Sequence, residues 1–292
     1  MDAAAARRPP VSGRLSALLL AVAVLSGCSA PNPPTPAAPV VPPTSSAQPA
    51  QVRLPPVSGS FDYQLGGAAD IAGLAVVARD ATAAPMPGAY NVCYVNGFQT
   101  QPGDGDRWLR DYGSALLRDA DGEPVTDPDW PDEYVLDPST APQRALIVDA
   151  LGPLLSGCAD KGFDAVEVDN FDTFTRFSSV DRAGAIELAR SFAGIAHGRG
   201  LAIGQKNAAE WTEMGRHDVG FDFAVTEECA TYHECDRYRK VYGEHVLQIE
   251  YTDDLPMPFR DVCSSPDRAP LTILRDRDLV APGREGYAYE QC

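Results

Sequence analysis

Polar side chains that can do chemistry occur at the ends of several short apolar segments of this 292-residue chain. They are Asp169-Asn170 followed by Asp172, Lys206-Asn207, Glu227-Glu228 and Glu250-Tyr251, and an earlier segment carries Tyr63 and Gln64. Two carboxylates that face each other across a site can cleave a glycosidic bond, because one protonates the leaving oxygen while the other attacks the sugar or activates water. These carboxylates therefore favour glycosidic cleavage.

Other reaction types lack their usual residues. No serine lies in a Gly-x-Ser-x-Gly segment, and the four histidines have neither an evident catalytic neighbour nor the spacing of metal ligands. The carboxylates could instead hold Mg²⁺ or Ca²⁺, although Lys206 among them would repel a cation. We expect neither a metal nor a cofactor. A metal-dependent hydrolase and a polysaccharide-binding barrel without turnover stay open as alternatives.

The elements that must position these residues alternate between strands and helices, which predicts a parallel sheet. One helix is expected to follow Pro142 and end at Lys161-Gly162, and another to run from about Ser178 to the glycines at 198–200. About 235 residues suit a (β/α)8 barrel of the TIM type. An open doubly wound sheet is the alternative, but Gly66-Gly67 is no dinucleotide-binding fingerprint.

Nine segments compete for the eight strand positions of such a barrel, so one must lie outside it. The first, the fourth and the last are the candidates for exclusion. The nine segments are residues 61–65, 74–78, 91–95, 133–136, 165–169, 201–206, 221–226, 246–251 and 271–274.

The segment Ala165–Asp169 indicates which side chains enter the barrel. Successive side chains of a strand alternate between its two faces, so Val166 and Val168 would face the helices while Glu167 and Asp169 face inward. Catalytic groups of such barrels lie at the carboxyl ends of the strands, which favours Asp169. We expect Glu167, one layer deeper, to form a structural ion pair with Lys206.

Four segments, in this order, resemble glycoside hydrolase family 114, which includes endo-α-1,4-polygalactosaminidases. They read GFDAVEVDNFD, GLAIGQKNAAE, FDFAVTEECATYHECD and VLQIEY, and the earlier FDYQLGG and NVCYVNG are also similar to that family. The resemblance covers residues 60–276 and implies a (β/α)8 barrel that hydrolyses α-1,4-linked galactosamine polymers with retention. The chain departs from the family pattern at residues 96–101, where we expect the sugar pocket to differ.

The resemblance also implies roles for individual residues. Asp169 would be the nucleophile and Glu227 the general acid/base, which burial or the charge of Asp169 should keep protonated. Glu228 is the alternative acid, because it would face inward if Phe221, Phe223 and Val225 faced the helices. The implied sugar-lining residues are Tyr63, Gln64, Asn170, Asp172, Lys206, Asn207, Glu228, Glu250 and Tyr251.

The N-terminal residues resemble the signal of an exported bacterial lipoprotein. Three arginines precede an apolar run at residues 15–25, and Leu25-Ser26-Gly27-Cys28 resembles a lipobox whose cysteine is lipidated. An ordinary secretory signal is the alternative. Ten of residues 29–56 are proline, which predicts an extended tether. We therefore expect a signal peptide (1–27), a tether (28–57) and a folded domain (58–292), anchored to the cell membrane by lipid alone.

Charge and cysteine usage agree with export. The formal net charge of −17 argues against a nucleic-acid partner and suits a cationic ligand or plain solubility. Six cysteines besides Cys28 suggest up to three disulfides, for which fifteen pairings exist. Cys229 and Cys235 are close enough to pair, Cys263 with Cys292 would fix the C-terminal segment, and Cys93 with Cys158 remains. We expect a monomer whose partner is an amino-sugar polysaccharide.

Overall fold

The computed structural model describes residues 52–292. The predicted signal peptide, Cys28 and most of the predicted tether lie outside these described residues. Within residues 52–292, the helices are too short or too polar to cross a membrane.

Eight parallel strands form a nearly closed barrel, which confirms the predicted fold class. Each strand pairs with its neighbour in chain order, and a ninth strand pairs antiparallel with the eighth. The strands are β1 (Ser60–Gln64), β2 (Leu74–Asp80), β3 (Tyr90–Asn96), β4 (Ala165–Asp169), β5 (Ala202–Lys206), β6 (Phe223–Glu227), β7 (Val246–Tyr251), β8 (Leu271–Arg275) and β9 (Tyr289–Gln291).

The excluded strand candidate is the fourth, residues 133–136, which was one of the three suspected. This segment forms only isolated bridges within the long connection from β3, as in the pairing of Gln99 with Val135. The short β9 was not predicted, because its three residues Tyr289–Gln291 carry no apolar alternation.

Side chains join the two ends of the sheet. The guanidinium of Arg275 on β8 donates a 2.6 Å hydrogen bond to Asp62 on β1 and a second bond to the carbonyl of Tyr63. From β9, the side chain of Gln291 accepts the amide N–H of Phe61 at 3.2 Å. The barrel is thus closed by a buried ion pair and side-chain hydrogen bonds.

Helices cover the outside of β3 to β8, whereas the connections from β1 to β2 and from β2 to β3 contain no helix in the described residues. The helices are α1 (Gly105–Asp111), α2 (Ala141–Lys161), α3 (Thr173–Arg176), α4 (Arg182–Gly198), α5 (Thr212–Met214), α6 (Cys235–Tyr242) and α7 (Phe259–Ser264), with 3₁₀ turns at Gly113–Ala115 and Ala209–Trp211 and a π turn at Gly215–Val219.

The two long helices end where the sequence predicts, but α4 begins at Arg182, four residues after the predicted start near Ser178. Thr140 and Gln143 form a capping box at the start of α2, and Gly162 ends that helix with a φ of 95°, a conformation that glycine adopts without strain. The side chain of Asp181 caps α4 by accepting the N–H of Gly184 at 2.7 Å.

Two apolar layers hold the fold. The inner layer fills the barrel with side chains such as Phe61, Val92, Phe223 and Ile249, and the outer layer lies between the sheet and the helices. Gly204 on β5 is required inside the barrel, because a Cβ atom there would lie 2.7 Å from the ring of Phe223. The position therefore excludes any larger residue unless Phe223 moves.

Three disulfides fasten elements to the barrel, and they are the three pairings considered from the sequence. Cys93 on β3 is joined to Cys158 on α2, and Cys263 on α7 is joined to the terminal Cys292 beside β9. Cys229 and Cys235 close the loop that follows β6. Two of the bonds therefore fix α2 against β3 and the loop that follows β6, the strand that ends at the predicted site residue Glu227.

Residues 52–57 lie across the amino-terminal end of the barrel. The hydroxyl of Tyr90, the first residue of β3, donates to the carbonyl of Arg53 at 2.6 Å, and the Arg53 guanidinium pairs with Asp164 before β4. Val52 and Leu54 pack against the inner apolar layer. The folded unit therefore makes stabilising contacts with residues that precede the predicted domain start at 58.

We predict that a chain beginning at residue 58 is less stable than one beginning at residue 42. It loses the packing of Val52 and Leu54 and the bond from Tyr90, together about 2 to 3 kcal/mol. Thermal unfolding should therefore occur about 5 °C or more lower. A chain beginning at residue 52 is the control and should match the longer one. Equal melting temperatures for all three chains would contradict the prediction.

Candidate active site

A buried lysine connects three carboxylates at the carboxyl end of the barrel. The Nζ of Lys206, at the end of β5, lies 3.2 Å from Glu167, 3.4 Å from Asp169 and 3.2 Å from Glu227. The lysine side chain is only 2 % exposed, whereas those of Asp169 and Glu227 are 17 % and 24 % exposed. The lysine is thus an internal support, and the two carboxylates above it reach the solvent.

Asp169 ends β4 and is held from two sides. Its Oδ2 accepts a 2.8 Å hydrogen bond from the hydroxyl of Tyr94 on β3, and its Oδ1 accepts the N–H of Asn170 at 2.7 Å. Together with Lys206, these donors fix the carboxylate while leaving part of it open to the barrel mouth.

Glu227 ends β6 and faces into the barrel. Its Oε1 accepts from the hydroxyl of Tyr251 at 2.5 Å, and its Oε2 accepts from the side-chain amide of Asn207 at 3.0 Å. Phe223 and Val225 lie in the inner layer, so the premise that would turn Glu228 inward does not hold. Phe221 lies in the outer layer because it precedes the strand, where strict alternation has not yet begun.

Glu167 lies one layer below and confirms the predicted pair with Lys206. Its Oε1 also accepts from the hydroxyl of Tyr63 at 2.7 Å. Burial raises the pKa of Glu167 to about 7, an effect that Lys206 opposes and the charge of Asp169 reinforces. Glu167 and Tyr63 are both fully buried, so they support the site from beneath rather than line it.

The charges around Lys206 determine the protonation of Glu227. Burial alone would raise the pKa of Glu227, but Lys206 and the hydrogen bonds from Tyr251 and Asn207 outweigh it and lower that pKa below its usual value. The expectation that burial keeps Glu227 protonated is therefore wrong for the free site. Burial likewise opposes the charge of Lys206, yet Asp169, Glu227 and Glu167 raise its pKa well above the usual range.

The backbone turns sharply after each of these strands. Asn170, Asn207 and Glu228, which directly follow Asp169, Lys206 and Glu227, have φ values of 62°, 46° and 59°. This left-handed conformation is uncommon for residues other than glycine, and such residues cluster at functional sites.

Comparison with known proteins assigns the family. The sequence model of Glycoside-hydrolase family GH114 matches residues 42–292. The chain belongs to this family. No curated protein matched the chain by sequence.

Solved structures share the barrel. The structure of Aspergillus fumigatus Ega3 in complex with galactosamine has 23% identity and a TM-score of 0.63, over 83% of this chain and 98% of Ega3. The glycoside hydrolase domain of PelA from Pseudomonas aeruginosa has 14% identity and a TM-score of 0.50, over 77% and 97% of the two chains. At these identities the likeness establishes the fold, and the family assignment makes this protein a glycoside hydrolase.

Some residues expected to line the sugar site of this GH114 barrel do not reach its mouth. Gln64 faces outward on β1 and accepts a 3.0 Å hydrogen bond from Arg79. Glu250 faces outward on β7, where it accepts the N–H of Ala230 in the loop after β6. Both side chains are buried and bonded to the scaffold.

Apart from the buried Tyr63 and Lys206, the remaining expected residues lie around the mouth. Tyr251 and Asn207 touch Glu227, and Asn170 adjoins Asp169. Asp172 lies 3.7 Å from Arg176 on α3. Glu228 is at the rim, where both of its oxygens accept hydrogen bonds from Arg277, at 2.7 and 3.1 Å.

Sequence reasoning missed four polar residues of the site: Tyr94, Asn96, Glu133 and Arg277. The alternation of β3 places Tyr90 and Val92 in the inner layer, so the same pattern could have predicted that Tyr94 and Asn96 face inward. Arg277 stacks on Tyr251, with its Cζ 4.3 Å from the ring centre. Neither Arg277 nor Glu133 lies in a strand, and no local pattern marks them.

One group of residues in the described part of the chain has the spacing of metal ligands. The ligand atoms of Cys229, Cys235 and Glu250 lie within 4.8 Å of one another. Because the two cysteines form a disulfide, their sulfur atoms are not available as thiolate ligands. This group therefore does not favour the metal-dependent alternative.

We predict that the protein is more stable at pH 5 than at pH 8. Burial raises the pKa of Glu133 to about 7, as it does for Glu167, from an ordinary value of 4.5. Between these values the folded state binds more protons than the unfolded state, so the free energy of unfolding falls as pH rises through this window.

The contribution of Glu133 is complete below its unfolded pKa and lost above about pH 7, on the order of 2 to 3 kcal/mol. Glu133→Gln should therefore reduce the difference in melting temperature between pH 5 and pH 8 by about 5 °C. Asp132→Asn removes an exposed neighbouring carboxylate and serves as the control. An unchanged pH dependence in Glu133→Gln would exclude this assignment.

Proposed function

We propose that this GH114 hydrolase cleaves α-1,4-linked galactosamine polysaccharide with retention, using Asp169 as nucleophile and Glu227 as general acid/base. The substrate class is supported by the sequence resemblance and by the Ega3 barrel, whose structure was determined in complex with galactosamine. The net charge of −17 is consistent with a cationic polymer, because unacetylated amino sugars carry ammonium groups.

The observation that carries the mechanism is the shared contact with Lys206. Asp169 Oδ2 and Glu227 Oε2 lie 3.4 and 3.2 Å from Lys206 Nζ. The distance between these two carboxylate oxygens therefore cannot exceed the sum of those two distances. This limit suits the spacing of about 5 to 5.5 Å in retaining glycosidases better than the about 6.5 to 9.5 Å of inverting ones. Asp169 can therefore attack the sugar directly.

In the first step, a carboxylate oxygen of Asp169 bonds to the anomeric carbon and the glycosidic C–O bond breaks. The electron pair of that bond goes to the leaving oxygen, which takes a proton from Glu227. In the second step, a water oxygen attacks the anomeric carbon, its proton goes to Glu227, and Asp169 departs as a carboxylate.

Lys206 acts through both carboxylates as a positioning residue. Its charge attracts Asp169 and Glu227 and so holds the two side chains in position. It also favours the carboxylate form of Glu227, which is the form that accepts a proton from water in the second step. The first step needs Glu227 to carry a proton, and the free energy of protonating it decreases as pH falls. Acidic conditions therefore favour the first step.

We predict that Asp169→Asn and Glu227→Gln each reduce the release of reducing ends from α-1,4-galactosamine polymers by at least ~100-fold. Glu228→Gln is the matched control, because Glu228 pairs with Arg277 at the rim and should lose less than about tenfold. NMR of the first product should show the α-anomer, as retention requires.

Three outcomes would change the proposal. A large loss in Glu228→Gln with activity left in Glu227→Gln would transfer the acid role to Glu228. Binding of the polymer by the parent protein without any release of reducing ends would favour a non-catalytic polysaccharide-binding barrel. A first product in the β-configuration would exclude retention.

We also propose that the enzyme is exported and anchored to the cell membrane by lipid on Cys28. The lipobox-like Leu25-Ser26-Gly27-Cys28 and the proline-rich residues that follow it support this localisation. The three disulfides of the barrel agree with an oxidising compartment.

For the anchor, we predict that the parent protein incorporates labelled fatty acid in a bacterial host and that Cys28→Ser abolishes the label. Ser29→Ala, which leaves the cysteine intact, is the control and should remain labelled. Labelling that persists in Cys28→Ser would place the lipid elsewhere, and an unlabelled parent protein would exclude the anchor.

A further inference from the structure

A carboxylate that the proposed mechanism does not use is connected to the proposed nucleophile, Asp169, through Asn96 and Asn170. Glu133 ends a turn of residues 127–133, here named the Glu133 turn, in the long connection between β3 and α2. Its amide N–H donates to the carbonyl of Trp130 at 2.9 Å, and its carbonyl accepts the N–H of Asp127 at 3.0 Å. The turn is therefore closed by its own backbone hydrogen bonds.

Asn96 connects this turn to the barrel mouth. Asn96 ends β3 and is paired in register with Asp169, so the two side chains lie at the same level of the barrel. Its amide nitrogen donates to Glu133 Oε2 at 2.7 Å, and its oxygen accepts from the side chain of Asn170 at 3.0 Å. Glu133 is thereby placed at the carboxyl end of β3, next to the residues that hold Asp169.

The carboxylate of Glu133 has no cationic partner among residues 52–292, although Glu133 is only 6 % exposed. Arg176, on α3, pairs with Asp127 and Asp172 instead. Burial raises the pKa of Glu133 to about 7, an effect that the Asn96 bond opposes and the charge of Asp169 reinforces. A buried carboxylate without a counter-ion costs stability, and such perturbed groups cluster at functional sites.

The turn around Glu133 is held in one position. Gln99 donates a 2.5 Å hydrogen bond to Asp127, which also pairs with Arg176. Between these fixed ends, Trp130 is 57% exposed. The Glu133 turn thus combines a buried carboxylate with an exposed aromatic residue three positions earlier, two groups that suit a sugar that is apolar on one face and positively charged at one substituent.

We propose that Glu133 binds the ammonium group of an unacetylated amino sugar in the subsite beside Asp169 and thereby selects galactosamine over N-acetylgalactosamine. This inference rests on the proposed function. An ammonium group supplies the charge and the hydrogen-bond donors that the carboxylate lacks. An acetamido group is uncharged and bulkier, so it gains no ion pair at this position.

The test compares kcat/KM for defined α-1,4-linked oligosaccharides of galactosamine and of N-acetylgalactosamine. Glu133→Gln should lower kcat/KM for the galactosamine substrate by about 10- to 100-fold, the range for a hydrogen bond to a charged group. Its value for the acetylated substrate should stay within about threefold of the parent's. Asp132→Asn, which removes the exposed neighbouring charge, should leave the ratio of the two values unchanged.

The outcomes separate this inference from the proposed function. If both substrates lose equally, Glu133 only positions Asn96, and if neither loses, Glu133 does not contact the amine; in both cases the inference fails while the hydrolase stands. If the parent cleaves neither substrate, the proposed function fails. Calorimetry then decides the inference: galactosamine oligosaccharides must bind the parent at least about tenfold more tightly than Glu133→Gln.

Discussion

The contact between Lys206 and three carboxylates is the interaction on which the candidate site depends. A fully buried ammonium loses several kcal/mol of hydration, and only close opposite charges can offset that loss. The two strands on either side of β5 supply them: β4 brings Glu167 and Asp169, and β6 brings Glu227. The parallel register of β4, β5 and β6 therefore determines both the stability of the lysine and the distance between the two carboxylates proposed to react.

The three carboxylates around Lys206 carry more negative charge than the lysine can balance. The protein accommodates this excess by placing the carboxylates at different depths below the mouth of the barrel. Glu167 is fully buried and has a pKa of about 7, so near neutral pH it can take up a proton. Glu227, closer to the solvent, receives hydrogen bonds from Tyr251 and Asn207 and stays ionised. The deep carboxyl group thus adjusts to pH, whereas Glu227 is ionised in the free site and would have to take up a proton before the first proposed step.

The local sequence pattern predicted correctly which side chains face into the barrel where a strand follows strict alternation from its first residue. It located Asp169 at the mouth and the Glu167–Lys206 pair below it, because β4 begins at Ala165 and alternates throughout. The same reasoning misjudged the facing of Glu227, since Phe221 precedes β6 and does not share its alternation.

Residues that depend on the path of a long connection could not be found in this way. Glu133 lies in a segment interpreted as a strand, and its position at the mouth follows from its bond to Asn96 on β3. Glu250 presents the opposite case: its place at a strand end suggested the mouth, but its position in the alternation turns it toward the loop after β6. The place of Glu133 thus depends on a tertiary contact, whereas alternation along β7 could have shown that Glu250 faces outward.

The amino-terminal end of the barrel stabilises the fold, whereas the mouth at the other end carries strained backbone and many charges. This difference explains how such a mouth is tolerated. Residues 52–57 and the buried Tyr90 close the amino-terminal end with apolar packing and hydrogen bonds. At the other end, left-handed residues follow Asp169, Lys206 and Glu227, and Glu133 lacks a counter-ion. Such features cost free energy, and the disulfides and the closed lower end offset it. Because the cost is concentrated where a cationic sugar would bind, substrate binding would itself relieve part of it.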